Sequence, residues 1–370
     1  MSLWVRSLQS VGARGLDCVM VTLASGKGST PREAGAKMIV TPEAIYGTIG
    51  GGDVEYQATG IAREMLGATD GRRAKRFALG ASLGQHCGGV ANLLFERVAA
   101  GAEWVRVLSA WLEAGDACIL VTPVSQAGED SGEGRLLVRA SARAGTVNAA
   151  DTLRAFGTLG DAGRDERAAD AARRLLAERE PAVTVLQVGE GMSALLEPVE
   201  PVDFNIVLFG AGHVGRAIVK VLGVLAVRVT WVDSRASEFP PDVPDNVHVA
   251  LTDTPLAEVS AARPGSWFLV MTHSHAIDLD LVEAILGRED IAFCGMIGSD
   301  TKRRTFGSGL TKRGIGPDAL SRFTCPIGIP SLSGKDPGTI AVAVAAQLLE
   351  CRERAASASV QASGTSASGR

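Results

Sequence analysis

Residues 83–90 read LGQHCGGV, which sets Cys87 between His86 and the pair Gly88 and Gly89, with Gln85 two places upstream. A thiolate is a soft metal ligand and a nucleophile for sulfur transfer. Gly88 and Gly89 remove side-chain bulk and offer N–H groups to an anion, and Gln85 can donate or accept a hydrogen bond beside the thiol. A cysteine at a strand start also reads as a small buried hydrophobe, and the stretch by itself leaves both readings open. Cys18, Cys118 and Cys294 lie inside apolar runs and read as core.

A second chemical stretch, SGKGSTPREAG at 25–35, has the look of a phosphate loop but fails the pattern. The glycine required five positions before Gly26 is Val21, and Lys27 is followed by Gly28. What remains is a turn with the hydroxyls of Ser29 and Thr30, a rigid Pro31 and the cation Arg32, suited to an anionic, oxygen-rich group. Gly51 lies in a further glycine turn at 50–52, ahead of a helical pattern for which Asp53 is the expected cap.

Gly210, Gly212 and Gly215 form GAGHVG between an apolar strand and a helix. The first glycine permits the tight turn, the second lets backbone approach a diphosphate, and the third lets helix and strand pack closely. Asp233 ends the next strand, where a carboxylate can bond a ribose hydroxyl. In THSHAID (272–278), His273 and His275 would share one side of an extended chain, with Asp278 beyond them. The histidine pair is like the metallo-β-lactamase signature, but the acid comes one place late and no histidine follows residue 275. A dinuclear hydrolase is therefore not expected. A single metal, a hydrogen-bonded ligand, or plain capping all fit. Lys302 and Arg303 fall in the first turn of the helix after GMIGS, where positive charge opposes the helix dipole and so suits a phosphate or merely a solvated face.

The elements that must hold these residues divide the chain. Strands are expected at 16–24, 36–40, 44–49, 91–98 and 117–124, with helices at 53–66 and 102–115. These make a mixed α/β N-terminal domain over 1–124. Residues 125–182 read as a connecting region, and a hairpin at 183–199 as a return to the first domain. From 203 to 354 strands and helices alternate, the pattern of a Rossmann-like doubly wound parallel sheet. The Ala/Ser-rich tail, 355–370, reads as disordered.

Composition narrows the function. The chain has 370 residues with a formal charge of −4, which argues against binding nucleic acid or an anionic membrane. Its 44 glycines exceed the usual share of ~7% and point to close backbone approaches. Six cysteines without metal-type spacing suit a reducing compartment. No apolar run is long enough to span a bilayer and no leader is evident, so a cytoplasmic protein is expected.

Taken together and in order, SGKGSTPREAGAKM, GTIGGGDVE, LGQHCGGV, FGAGHVGRA, THSHAID, GMIGSDTKRRTF and CPIGIPSLSGKDPGTIAVAVAAQL resemble the XdhC/CoxI family, accessory proteins of molybdenum hydroxylases such as xanthine dehydrogenase. The resemblance implies a non-catalytic protein that binds molybdenum cofactor, takes part in its sulfuration and delivers it to a xanthine dehydrogenase-type enzyme. It also implies docking of a cysteine desulfurase, and a homodimer is compatible with the apolar helix faces. Cys87 matches the family cysteine proposed to hold the molybdenum. Many relatives carry a second cysteine where His86 stands, so a two-cysteine scheme does not transfer. Gln85, Gly88, Gly89, Ser29, Thr30, Arg32 and Gly51 would complete the cofactor site, with the cofactor as bare pterin or dinucleotide. GAGHVG and Asp233 alone support the other reading, an NAD(P)-dependent oxidoreductase.

Overall fold

The structure, a computed structural model, describes residues 2–30, 32–68, 71–79, 89–124, 134–140, 153–178 and 181–365. The chain divides into two compact units, Met1–Val202 and Asp203–Arg370.

Unit 1 opens with α1 (Leu3–Ala13), β1 (Cys18–Lys27), β2 (Lys37–Val40), β3 (Ile45–Gly47), α2 (Gly52–Leu66), β4 (Arg72–Leu79) and β5 (Gly89–Val98). It continues through α3 (Glu103–Ala114), β6 (Cys118–Val124), β7 (Arg135–Ala140), β8 (Leu153–Thr158), α4 (Ala162–Leu176), β9 (Thr184–Gly189) and β10 (Met192–Val199). Two antiparallel sheets result, ordered β3-β2-β1-β5-β4 and β8-β7-β6-β10-β9. Alternation along the strands gives each sheet two faces. Val19, Val21 and Leu23 of β1, with Leu93 and Phe95 of β5, face α2 and bury Val54, Ala58, Ile61, Ala62 and Met65. The opposite face of β1, with Cys18 and Met20, packs on Leu8 and Val11 of α1 and Val105 of α3. α4 covers the outer face of the second sheet with Ala168, Ala172 and Leu175. Each fully buried aliphatic side chain contributes about 1.5–3 kcal/mol.

Residues 135–176, read from sequence as part of a connecting region, thus supply two strands and a helix of the second sheet. Strand β4 and helix α1 carry no sequence expectation, because β4 is an edge strand with exposed Lys75 and Arg76 and lacks clean alternation.

Unit 2 contains β11 (Asn205–Phe209), α5 (His213–Leu222), β12 (Arg228–Asp233), β13 (Val247–Leu251), α6 (Pro255–Ala261) and β14 (Trp267–Val270). Then come α7 (His275–Leu286), β15 (Phe293–Met296), α8 (Asp300–Lys312), α9 (Pro317–Ser321), β16 (Phe323–Thr324) and α10 (Pro337–Thr365). Six parallel strands run in the order β13-β12-β11-β14-β15-β16. Helices α6, α7 and α8 bury Val259, Leu281, Ile285, Phe306 and Leu310 against one face of the sheet. Ile206 and Leu208, on the opposite side of β11, are buried as well, so both faces are covered. The α/β reading with a Rossmann-like second half is what the chain adopts. Helix α10 extends to Thr365, into the tail expected to lack structure; its alanines are good helix formers, and the helix is already nucleated by packing on α5. Among the described residues no helix is long and apolar enough to cross a membrane.

Candidate functional site

In unit 1 the register Lys27↔Val90 and Gly26↔Ala91 brings the end of β1 against the start of β5. A Cβ on Gly89 would lie 2.5 Å from the Ser29 carbonyl oxygen and 2.7 Å from that of Lys27. Only glycine lets the 25–35 turn close on β5 there. The Asn92 amide donates to the Ser25 hydroxyl at 2.9 Å, and the Thr30 hydroxyl to the Arg32 carbonyl at 3.0 Å. Beside this turn is a concavity of about 650 Å³ lined by Thr30, Arg32, Glu33, Ala34, Gly35 and Ala36. Arg32 and Glu33 are both exposed there. Four of the predicted residues, Ser29, Thr30, Arg32 and Gly89, therefore meet at one end of the first sheet. Cys87, Gln85 and Gly88 lie outside the described residues.

The glycine turn at 50–52 is already occupied from within. Gly50, Gly51 and Gly52 all have positive φ (127°, 75° and 68°), a conformation that favours glycine. The curl aims backbone N–H groups inward. Glu55 fills it, accepting from the Thr48 hydroxyl at 2.6 Å and from the N–H groups of Ile49 and Gly51 at 3.0 Å each. Burial alone would raise the Glu55 carboxyl, but the Thr48 hydroxyl and the N–H groups of Gly51, Ile49 and Gly50 hold it below its ordinary range. The N–H of Gly51 is thus committed to Glu55. Gly51, not Asp53, caps α2, and Asp53 instead accepts from the Gln57 amide at 2.8 Å. An acid four places after a glycine at a helix start is the signal that would have pointed to Glu55.

In unit 2 the fingerprint glycines sit as the motif requires. Gly210 has φ 115°, and a Cβ on it would collide with the Met271 carbonyl oxygen at the end of β14. A Cβ on Gly215 would collide with the Gly210 carbonyl oxygen. Around Gly212, at the start of α5, nothing lies within 4 Å of a Cβ, so the middle of the loop faces open space. Asp233 is 8% exposed, and its acceptor positions are filled. Oδ2 accepts from the Ala211 N–H at 2.7 Å and Arg235 Nη2 at 2.8 Å, while Oδ1 accepts from the Arg235 N–H at 3.0 Å and Nε at 2.9 Å. Against burial, which would raise it, Arg235 and these N–H groups hold the Asp233 carboxyl at about 2. A ribose hydroxyl would have to displace Arg235.

In the first turn of α7, Asp278 is wholly buried. It accepts from the Thr272 N–H at 3.0 Å and hydroxyl at 2.8 Å, and pairs with Lys302 at 3.0 Å. His273 and His275 are exposed on either side of Ser274, the extended cap residue of α7. The His275 ring meets Phe306 edge-on, with centroids 6.3 Å apart. Among the described residues no group of three or more His, Cys, Asp or Glu could hold a metal. Arg303 is exposed on α8, whose cap is Ser299.

Sequence reasoning passed over a charged cluster between the two sheets of unit 1. Lys37 Nζ donates to Glu197 Oε1 at 2.6 Å and to the Thr22 hydroxyl at 2.8 Å. Glu96 pairs with Arg72 at 3.0 Å and with Arg135, whose guanidinium lies 3.9 Å from the Trp104 ring centroid. Charges set inside apolar runs, as in AKMIV, LLFERV and ALLEPV, are the trace such pairs leave.

Residues 206–348 match the XdhC Rossmann domain model, and residues 12–77 match that of the XdhC and CoxI family. Uncharacterized protein YqeB of Escherichia coli (strain K12) is 26% identical over 154 residues, 41% of this chain and 28% of that protein. The chain therefore spans under a third of the length of that relative. A crystal structure described as a xanthine dehydrogenase from Bacillus halodurans superposes with a TM-score of 0.67 at 20% identity, covering 96% of each chain. At that identity the likeness shows the fold.

Proposed function

The chain belongs to the XdhC and CoxI family, and from that premise we propose that it is an accessory protein of a xanthine dehydrogenase-type molybdenum hydroxylase. In this reading it binds molybdenum cofactor, takes part in its sulfuration with a cysteine desulfurase, and hands it to the apoenzyme. One observation carries the reading: Gly89 admits the Ser29 turn by direct backbone approach, joining the two motif stretches of unit 1 beside a concavity with an exposed cation. The pterin phosphate is anionic and rich in oxygen, and Ser29 and Arg32 are donors of the right kind. Gly51 is left out of the set because Glu55 takes its N–H. Bound cofactor would bring an oxo-molybdenum dithiolene centre, for which the thiolate of Cys87, two residues before Gly89, is a soft ligand.

The test is the pterin content of the purified protein, read from the fluorescence of its oxidised form. Cys87→Ala is expected to lower retained molybdenum by at least about tenfold, the loss of one strong ligand, with the fold unchanged. Undiminished molybdenum in that variant would remove Cys87 from the site. A second reading, an NAD(P)-dependent oxidoreductase, is favoured only by the open space at Gly212. Turnover of NAD(P)H against a panel of carbonyl compounds separates the two.

A further inference from the structure

Unit 1 has an apolar cleft of about 380 Å³ that the proposed function leaves unused, within the size range of small-molecule pockets. It lies between the second half of α1 and the first turns of α3, at the opposite end of β1 from the 25–35 turn. Leu8 and Val105 line it from the helices, Cys18 and Val98 from the strands. Burial, with the Asp17 charge beside it, pushes the Cys18 thiol up to about 12, so this lining stays neutral. A Cβ on Gly101, which also lines the cleft, would meet nothing within 4 Å, so that side is open.

Among the described residues that line the cleft, Arg106 alone is charged. It pairs with Glu103 at 3.1 Å, but both side chains are largely exposed, so the pair is weak and the guanidinium can turn to a ligand. Ala102, Val105, Arg106 and Ser109 recur at helical spacing, so Ser109 extends the lining face of α3 by one turn. Ser109 is 2% exposed, and its hydroxyl has no hydrogen-bond partner. Other helical hydroxyls of this chain, those of Ser7, Thr59, Thr305 and Thr311, donate to the carbonyl four residues earlier. Ser109 does not. Its proton is offered away from its own helix backbone, on the side of Arg106, and a buried hydroxyl calls for an acceptor there.

We propose that this cleft binds a small organic acid, its apolar body between Leu8 and Val105 and its anionic head accepting from Ser109 and Arg106. Gln9, at the same rim, supplies an amide beside the head. The site needs neither Cys87 nor the 25–35 turn, so it stands or falls apart from the cofactor reading.

The probes are anilinonaphthalene sulfonate, an aromatic body with one anionic head, and its uncharged analogue phenylnaphthylamine, each titrated by fluorescence into the full chain. Both are expected to bind at a single site. Ala13→Phe, at an exposed position on the rim, puts a ring into the cleft and should weaken both by at least about tenfold. Ser109→Ala and Arg106→Gln should weaken the sulfonate alone, by about tenfold for the buried hydroxyl and about threefold for the exposed cation. Unchanged binding of the neutral probe in these two variants shows that the fold is kept. The proposal is overturned if the unaltered chain binds neither probe, or if Ala13→Phe leaves both affinities as they were. It is also overturned if Ser109→Ala changes the charged and the neutral probe alike, because no head group would then be held.

Discussion

In unit 2 the buried acids Asp233 and Asp278 stand at the C-terminal edge of the parallel sheet, one closing β12 and the other in the first turn of α7, bonded back to Thr272 beyond β14. In unit 1 the buried charges Lys37, Glu96 and Glu197 lie on the strands themselves, between two antiparallel sheets. Topology explains the contrast. Parallel strands covered on both faces have no room for charge along their length, so polar groups gather where the chain leaves the sheet. There they organise loops, as Asp233 does for Ala211 and Asp278 for Thr272. Antiparallel sheets that meet face to face can bury charge only beside counter-charge, which comes from the other sheet for Lys37 with Glu197 and for Glu96 with Arg135, and from the neighbouring strand for Glu96 with Arg72. Edge charges can be freed for a ligand one at a time, whereas inter-sheet charges stand or fall together.

The largest effect should come from breaking that togetherness. Glu96→Ala leaves Arg72 and Arg135 without the carboxylate they share, a loss of about 3–5 kcal/mol for a buried pair. Burial alone would raise the Glu96 carboxyl, but Arg135, Arg72 and Lys37 hold it low. Its contribution is thus full above the ordinary carboxylate range and lost on acidification. Denaturant melts with hydrogen exchange resolved by unit should show only unit 1 affected, and a loss under about 1 kcal/mol would contradict cooperative burial. In unit 2, Asp278→Ala should cost less, about 2–3 kcal/mol, since Lys302 can turn to solvent while the Thr272 groups lose their acceptor. If Asp278→Ala cost as much as Glu96→Ala, the distinction between edge and interior would fail.

The same contrast explains what could be read beforehand. The strands of unit 2 were legible because they are short apolar runs closed by turn residues, and GAGHVG marks where the first one ends. Its acids were legible as types at strand ends, but the donors that fill Asp233 were not, because Arg235 reaches back two residues only once the loop is folded. In unit 1, β7 and β8 hid within a polar stretch, and the meeting of Ser29 with Gly89 depends on a pairing of β1 with β5 that no local pattern reveals. Lys37 and Glu197 are 160 residues apart, beyond any periodicity.

Glu55 tests an intermediate case, a single carboxylate filling a glycine curl. Glu55→Gln should cost about 1–2 kcal/mol, the charge-assisted part of its bonds reduced by partial exposure. With its folded value lowered, Glu55 stabilises fully above the ordinary carboxylate range and ceases to as pH falls through the lowered value. The variant should lack that acid-dependent step, which a series of melts from neutral to acid pH would record. An unchanged step would assign it to another acid.

The smallest effect is expected at Gly212, and it bears most directly on which charges and backbone groups are available to a ligand. A Cβ there meets nothing, so Gly212→Ala should cost under about 1 kcal/mol, the difference in capping preference. Gly210→Ala should cost several times more, because φ 115° and the Met271 carbonyl oxygen both forbid a side chain. Equal losses would mean that the whole loop is packed, like the interior of unit 1, rather than open at its middle. If the expected inequality holds, Gly212→Ala becomes the clean probe of ligand binding at the edge of the parallel sheet, since any loss of phosphate or nucleotide affinity in it could not be blamed on the fold.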